Sequence, residues 1–211
     1  MEGLKIATST DLILQLPVLV LLITGIIVMM LDAFKQYSAL AIVSGIGMVA
    51  SMVIAVPGVT EGMLGTAVPD YAFGKMMRTD ELAALVHIFL CLSGLFTLFF
   101  IGDFMNRQAA KVYDTYALII FALVGMDLLA NGNDLIMIFI GLETMSICLY
   151  IMAGMYKKDV KSNEAGLKYF LLGAFATGFF LYGIALVYGA AGSTNFSRMD
   201  YLELASSALF Y

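Results

Sequence analysis

Charged residues are scarce in this chain of 211 residues: Asp, Glu, Lys and Arg together make up 13%, whereas 62% of the residues are hydrophobic. Soluble globular domains average about 25% charged residues. The shortage of charge therefore argues against a soluble domain and predicts a membrane protein. The net charge is −5 and the sequence contains no basic patch, which argues against a nucleic-acid partner.

Cysteine and histidine are also nearly missing. The two cysteines, Cys91 and Cys148, lie inside apolar runs, and His87 is the only histidine. No set of Cys and His has the spacing of metal ligands, so we expect two small core residues and neither a disulfide nor a metal site. The sequence contains no flavin, haem, iron–sulfur or quinone motif, and no cofactor is expected in this chain.

Long apolar runs, in contrast, are plentiful. At a rise of 1.5 Å per residue, a run of about 20 residues spans roughly 30 Å, the thickness of a bilayer's hydrocarbon core. The runs are continuously apolar and lack the period-two alternation of barrel strands, so they predict an all-α bundle of about six transmembrane helices. They cover approximately Leu12–Leu31, Ser38–Val56, Leu82–Ile101, Tyr113–Ala130, Asp134–Met155 and Ala165–Ala190.

The short turns between these runs carry cations on one side of the membrane only. Three alternate turns hold Lys35, Arg107, Lys111, Lys157, Lys158 and Lys161, whereas the opposite turn 131–133 (Asn-Gly-Asn) holds none. By the positive-inside rule, the lysine-rich turns are predicted to be cytoplasmic, and the N-terminus and the loop 58–80 to lie outside. The first run is too long for the h-region of a signal peptide and is expected to remain as a membrane helix.

This order divides the chain into two regions. Residues 1–112 are predicted to form three helices with the extracytoplasmic loop, and residues 113–211 the next three. The turn 131–133 is so short that the fourth and fifth helices are expected to be antiparallel neighbours. The sixth helix has a face of small residues, which is typical of close helix packing in membranes. These residues are Gly173, Ala174, Ala176 and Gly178.

Glu143 is the first candidate for chemistry. It lies in the middle of the fifth run, whose other charge, Asp134, is at its start. An ionised group at the bilayer centre costs on the order of 3 kcal/mol by insertion scales, and such carboxyls usually lie on ion or proton paths. A carboxyl that merely bonds a neighbouring helix is the alternative.

Lys168 is the second candidate, about one turn into the sixth run after the cap-like residues 162–164. Counted by helical rise, it is offset from Glu143 by more than about 10 Å, so no direct ion pair is expected. Lys168 is instead predicted to hold a water chain between Glu143 and the cytoplasm. The alternative is a lysine that snorkels to the membrane surface.

His87 and Asp127 are secondary candidates. A lone titratable imidazole inside a membrane is able to relay protons, although hydrogen-bonded packing is the more frequent role of such a histidine. Asp127 lies about one turn from the outer end of the fourth run. It is either a functional acid or a side chain that snorkels to the interface.

A pattern between Gly125 and Phe196 carries a family resemblance. Gly-Leu-Glu is followed by Ser, then Leu-Tyr, a basic turn, Glu-Ala-x-Leu-Lys-Tyr-Phe and later Tyr-Gly. This pattern resembles the antiporter-like membrane subunits of NADH-quinone oxidoreductase (respiratory complex I). It is shared with multisubunit cation/proton antiporters and membrane hydrogenases, which stay open as alternatives, as does a non-transporting structural subunit.

The resemblance implies a fold and site residues. The family has fourteen helices with two inverted five-helix repeats, so this chain would be the N-terminal part, with residues 113–211 starting the first repeat. Glu143 and Lys168 match the family's glutamate and lysine for proton translocation. The partner lysines on later family helices have no counterpart in the 211 residues, which are therefore expected to be a fragment or one piece of a split subunit. Asp127 falls where the family usually has an uncharged residue.

The resemblance also implies function and surroundings. Such a subunit translocates protons as part of a quinone oxidoreductase, and NADH and quinone are handled by other subunits. The implied partners are other membrane-arm subunits and the lipid bilayer. The implied location is the bacterial plasma membrane or an equivalent energy-coupling membrane.

Overall fold

Helices make up nearly all of the structure, a computed structural model that describes residues 9–63, 70–107 and 113–199. Lys111 and residues 200–211, which figure in the predictions above, lie outside these ranges. The elements are α1 (Ser9–Leu14), α2 (Leu16–Ala33), α3 (Tyr37–Met63), β1 (Asp70–Ala72), β2 (Met77–Thr79), α4 (Glu81–Arg107), α5 (Thr115–Asn131), α6 (Leu135–Ala153) and α7 (Val160–Ala191). The predicted all-α membrane bundle is confirmed.

Five helices, α2, α3, α4, α6 and α7, are long and apolar enough to cross a membrane. The fourth predicted run, Tyr113–Ala130, corresponds to α5, an apolar helix of 17 residues. Eleven residues of α5 are buried, whereas only 6% of the most apolar window of α7 is buried. The short helix is therefore the centre of the bundle, and α7 lies at its edge.

The antiparallel pair α5 and α6 forms the closest contact in the bundle core. A Cβ atom added at Gly125 would lie 2.5 Å from the backbone nitrogen of Met145 and 2.8 Å from the carbonyl oxygen of Gly141. Two backbones approach this closely only where side chains are absent. The neighbours predicted from the turn 131–133 are thus in contact along their length.

The small-residue face of α7 is used only in part. A Cβ atom at Gly173 would overlap the Tyr150 ring of α6. Gly178 meets nothing within 4 Å, and Ala174 and Ala176 are exposed. Within the described chain the predicted close packing is seen at Gly173, and the rest of the small-residue face stays a prediction.

Asp134 and Asp159 set the starts of α6 and α7. Asp134 accepts a hydrogen bond from the Ile136 backbone N–H at 2.9 Å, and Asp159 accepts one from the Lys161 N–H at 3.0 Å. These are N-cap bonds, which satisfy free N–H groups at a helix start. The cap expected at residues 162–164 was therefore wrong, since α7 already begins at Val160.

The loop 58–80 contains a hairpin that the sequence patterns did not predict. Its strands β1 and β2 pair antiparallel, with Tyr71 opposite Arg78. The Lys75 carbonyl in its turn accepts bonds from the Asn133 and Asn195 side chains, at 2.8 and 2.7 Å. The hairpin, the turn 131–133 and the residues after α7 therefore form one end of the bundle, called the hairpin end here. The opposite end, with Lys35 and the turn 154–159, is called the lysine end.

Asn195→Ala is expected to loosen the hairpin end. Asn195 is 5% exposed, and the change removes both its bond to Lys75 and the bond that its Oδ1 accepts from the Ser197 N–H at 3.0 Å. Lost buried hydrogen bonds cost about 1–3 kcal/mol, so the melting temperature in detergent should fall. Asn163→Ala is the control, because that exposed side chain donates one bond to Lys157 at the lysine end. An equal fall in both variants would contradict the expectation.

Candidate functional site

Glu143 is the ninth of the 19 residues of α6, near the middle of the helix. Its side chain is half-buried. Its Oε1 atom is shielded and has no hydrogen-bond partner in the described part of the chain. The adjacent Thr144 hydroxyl donates to the Ile140 carbonyl at 2.8 Å. A shielded polar oxygen without a partner costs roughly 1–3 kcal/mol, so a partner from beyond the described residues would stabilise this side chain.

The Glu143 side chain lies on the stripe of α6 that faces α7. Residues four and seven apart share one side of a helix, and Phe139 and Tyr150 flank Glu143 at these spacings. The Phe139 ring lies 6.3 Å from the Phe180 ring of α7, and Tyr150 also contacts rings of α7. Gly141, on another face, packs against α5. Glu143 is thus placed along the seam between α6 and α7.

Lys168 and Glu143 do not pair, as predicted. The Lys168 ammonium forms an ion pair with Glu164, and its side chain is 69% exposed. The helices α6 and α7 approach at Gly154 and Gly166, where a Cβ atom on Gly166 would lie 2.7 Å from the Gly154 Cα. Glu143 lies eleven residues from Gly154 on α6, and Lys168 lies two residues from Gly166 on α7. The difference of nine residues separates Glu143 from Lys168 by about 13 Å along the helix axes.

A buried polar cluster joins α3, α4 and α5. His87 is 3% exposed and Asp127 is fully buried, and His87 Nδ1 lies 2.9 Å from Asp127 Oδ2. The Ser51 hydroxyl lies 2.8 Å from His87 Nε2, and the Cys91 sulfur lies 3.5 Å from the same atom. We call these four residues the His87 cluster. It brings together the two secondary candidates, which are 40 residues apart in the chain.

Hydrogen-bond directions restrict where the protons of the His87 cluster lie. Ser51 donates its hydroxyl proton to the Pro17 carbonyl at 2.6 Å, so it accepts from His87 Nε2–H. One further proton lies between Nδ1 and Oδ2, either on the imidazole or on the carboxyl. Both arrangements give the pair zero net charge, which is the condition for burial at low cost.

A cavity of about 520 Å³ extends from the hairpin end to His87. Gln15, Thr79, Glu81 and Asn131 line it at the hairpin end, and His87 lines it deeper in the bundle. Asn131 is 6% exposed, and its Oδ1 has no partner in the part of the chain that the structure describes. The cavity therefore combines apolar walls with a few inward polar atoms.

The sequence analysis singled out three of the four residues of the His87 cluster, namely His87, Cys91 and Asp127. It did not predict that they contact one another. Cys91 and Cys148 are both buried and free, as expected of core residues. Ser51 was missed, because a serine in an apolar helix usually bonds its own backbone. No sequence signal singled out Ser51, since α3 contains two further serines, Ser38 and Ser44.

Comparisons with known proteins place the chain in a family. Residues 132–210 match the family model described as NADH:quinone oxidoreductase/Mrp antiporter, TM. NADH-quinone oxidoreductase subunit N of Salinibacter ruber is 41% identical over 182 residues, covering 86% of this chain and 36% of that protein. Subunit N 1 of Solibacter usitatus is 41% identical over 196 residues, covering 89% and 38%. The chain thus spans less than two fifths of the length of these relatives.

Solved structures agree with this relationship. Respiratory complex I from Thermus thermophilus with bound aureothin contains a chain with a TM-score of 0.68 and 27% identity, covering 85% of this chain and 38% of that one. A chain of the membrane-bound sulfane sulfur reductase, an archaeal respiratory membrane complex, gives a TM-score of 0.73 at 24% identity, covering 86% and 38%, which shows a shared fold. The chain belongs to the antiporter-like membrane subunits of NADH-quinone oxidoreductase, as a relative of subunit N.

Proposed function

We propose that the chain is part of a proton-translocating membrane-arm subunit of NADH-quinone oxidoreductase. Quinone reduction takes place in other subunits, and this part carries protons across the membrane. Its partners are then the other membrane-arm subunits, and the lysine end faces the cytoplasm of a bacterium. The observation that carries the proposal is a shielded carboxyl oxygen on Glu143 at mid-helix, for which the described residues offer no partner.

Glu143 would act as the exchangeable proton carrier. A cation that approaches a shielded carboxyl favours its ionised form, and the removal of that cation favours proton binding. Movement of charge in a neighbouring subunit would therefore alternate the proton affinity of Glu143, which is how a distant reaction is coupled to transfer. The described chain brings no cation to Glu143, so this charge would come from elsewhere in the complex.

Lys168 would connect Glu143 with the lysine end. It lies about 13 Å nearer to that end by helical rise, and it forms an exposed ion pair with Glu164. Charged groups at this position are able to order water between the seam and the membrane surface. This role needs no direct contact between the two residues.

Glu143→Gln is expected to reduce proton pumping in membrane vesicles that contain the assembled complex. The amide cannot release a proton, and positioned proton-transfer groups contribute about 10²- to 10⁴-fold to a rate. We expect the proton uptake rate to fall by on the order of tenfold or more while the complex remains assembled. The measurement is the quenching of a pH-sensitive dye during NADH oxidation.

Two matched variants control this experiment. Glu143→Asp keeps a carboxyl and should retain part of the pumping. Thr144→Ala changes the next residue, whose hydroxyl bonds only the Ile140 carbonyl in the described chain, and should pump normally. Unchanged rate and stoichiometry in Glu143→Gln would show that this part of the subunit is structural.

A further inference from the structure

The His87 cluster is distinct from the Glu143 site. Gly125, two residues before Asp127 on α5, packs against the face of α6 that carries Gly141. Glu143 lies on the stripe of α6 that faces α7, whereas Asp127 bonds His87 of α4. The cluster therefore requires a role of its own, and one that does not depend on how Glu143 functions.

The surroundings of His87 in the described chain contain few other ionisable groups. Asp127 of α5 and Cys91 of α4 contact or adjoin the ring, α3 contributes Ser51, and α2 contributes the Pro17 carbonyl. The two carboxylates on the cavity wall are Asp80 and Glu81, about 9 Å or more along α4 from His87. Asp80 is already engaged, with Arg78 at 2.6 Å and with the Ala83 N–H at 2.9 Å.

Two observations suit the His87–Asp127 pair to exchanging a proton with water. His87 is one of the residues that line the cavity reaching the hairpin end, so water in the cavity is able to come close to its side chain. Ser51 is also able to change its role: its hydroxyl proton, now donated to Pro17, turns toward Nε2 if that nitrogen loses its proton. The ring then keeps a hydrogen-bond partner in both states.

We propose that His87 and Asp127 form a buried proton-binding site that exchanges its proton with the hairpin side of the membrane through this cavity. In the loaded state the pair is neutral, with Nε2–H donating to Ser51 and the second proton shared by Nδ1 and Oδ2. On release, the Nε2 proton passes to a cavity water. The pair is left as neutral imidazole and carboxylate with one net negative charge, and Ser51 donates to Nε2.

The first test measures access from the hairpin side. Ala84 lines the cavity one turn before His87 on α4, whereas the neighbouring Leu85 is not among the residues of its wall. Ala84→Cys in the assembled complex should react with a charged, membrane-impermeant thiol reagent added from the hairpin side. Leu85→Cys is the control, and its thiol should react severalfold more slowly. No reaction at Ala84→Cys would overturn the proposed route.

The second test observes the proton itself. Infrared difference spectra of the complex between mildly acidic and mildly alkaline pH should contain imidazole bands that are lost in His87→Gln. Labelling of Ala84→Cys should slow the hydrogen–deuterium exchange of these bands severalfold, because the reagent fills the cavity. Since this variant leaves the pair intact, the test stands even if His87→Gln fails to assemble.

The outcomes separate this site from the pumping role of Glu143. Bands that persist in Glu143→Gln and are lost in His87→Gln support the proposal, whether or not Glu143→Gln pumps. The proposal is overturned if His87→Gln assembles with the bands unchanged. It is equally overturned if blocking the cavity leaves their exchange rate unaltered, since the His87 pair would then be a static structural contact.

Discussion

Gly125→Val is expected to separate α5 from α6 and to abolish assembly of the subunit. Any Cβ at Gly125 meets the Met145 backbone nitrogen at 2.5 Å and the Gly141 carbonyl oxygen at 2.8 Å. Backbone atoms of a packed helix cannot rotate away as a side chain does. Overpacking a core costs about 1–3 kcal/mol when side chains are able to adjust, and here the cost should be larger because two helices must move apart.

The position of α5 magnifies this effect. Its buried face carries Ile120, Leu123 and Val124, which belong to the core cluster shared with α2, α3 and α4. A displacement at Gly125 is therefore transmitted to the rest of the bundle. The measurement is the amount of assembled complex on native gels together with its melting temperature.

Gly45→Val is the matched control for this prediction. Gly45 also lies inside a membrane helix, but a Cβ atom there would meet no described atom within 4 Å. The two substitutions have the same intrinsic effect on helix formation, so only packing distinguishes them. Equal assembly of the two variants would contradict the close backbone contact of α5 and α6.

The second large effect is expected at the His87–Asp127 pair. Asp127→Leu removes the hydrogen-bond partner of the buried imidazole Nδ1. His87→Leu likewise removes the partner of the buried carboxyl oxygen Oδ2. Removing one member of a buried ion pair costs about 3–5 kcal/mol, whereas replacing both members with apolar residues is often nearly neutral. The double variant should therefore be more stable than either single variant.

A double-mutant cycle of thermal stability in detergent measures this coupling. The ion pair of Glu164 and Lys168 supplies the comparison, because its side chains are 58% and 69% exposed. Exposed pairs contribute about 0–1 kcal/mol, so the corresponding cycle with leucine should show little coupling. Additive losses at His87 and Asp127 would mean that the two side chains do not bind each other.

The number and placement of the membrane helices followed from local composition. A segment is recognised as a membrane helix when it has enough consecutive apolar residues to cross the hydrocarbon core. This property of the segment does not depend on which other helices pack against it. The position of Glu143 at mid-helix and its separation from Lys168 followed from the rise per residue alone. The start of α6 was predicted within one residue, whereas the start of α7 was missed by five residues because its cap, Asp159, lies within a polar turn.

The hairpin end depended on contacts between distant parts of the chain. Strands of three residues carry too little pattern to be predicted. The hairpin turn is held by Asn133 and Asn195, which are 58 and 120 residues from Lys75. No local pattern indicates that these amides bond the same carbonyl.

The sequence by itself determined that this protein lies in a membrane as a helical bundle and that an acid stands near the middle of α6. The tertiary structure alone decided that His87 meets Asp127 and Ser51, that Glu143 faces α7, and that a cavity reaches the imidazole. The physical reason is that transfer into lipid depends on the length and apolarity of one segment, whereas the pairing of polar groups depends on the register and rotation of packed helices.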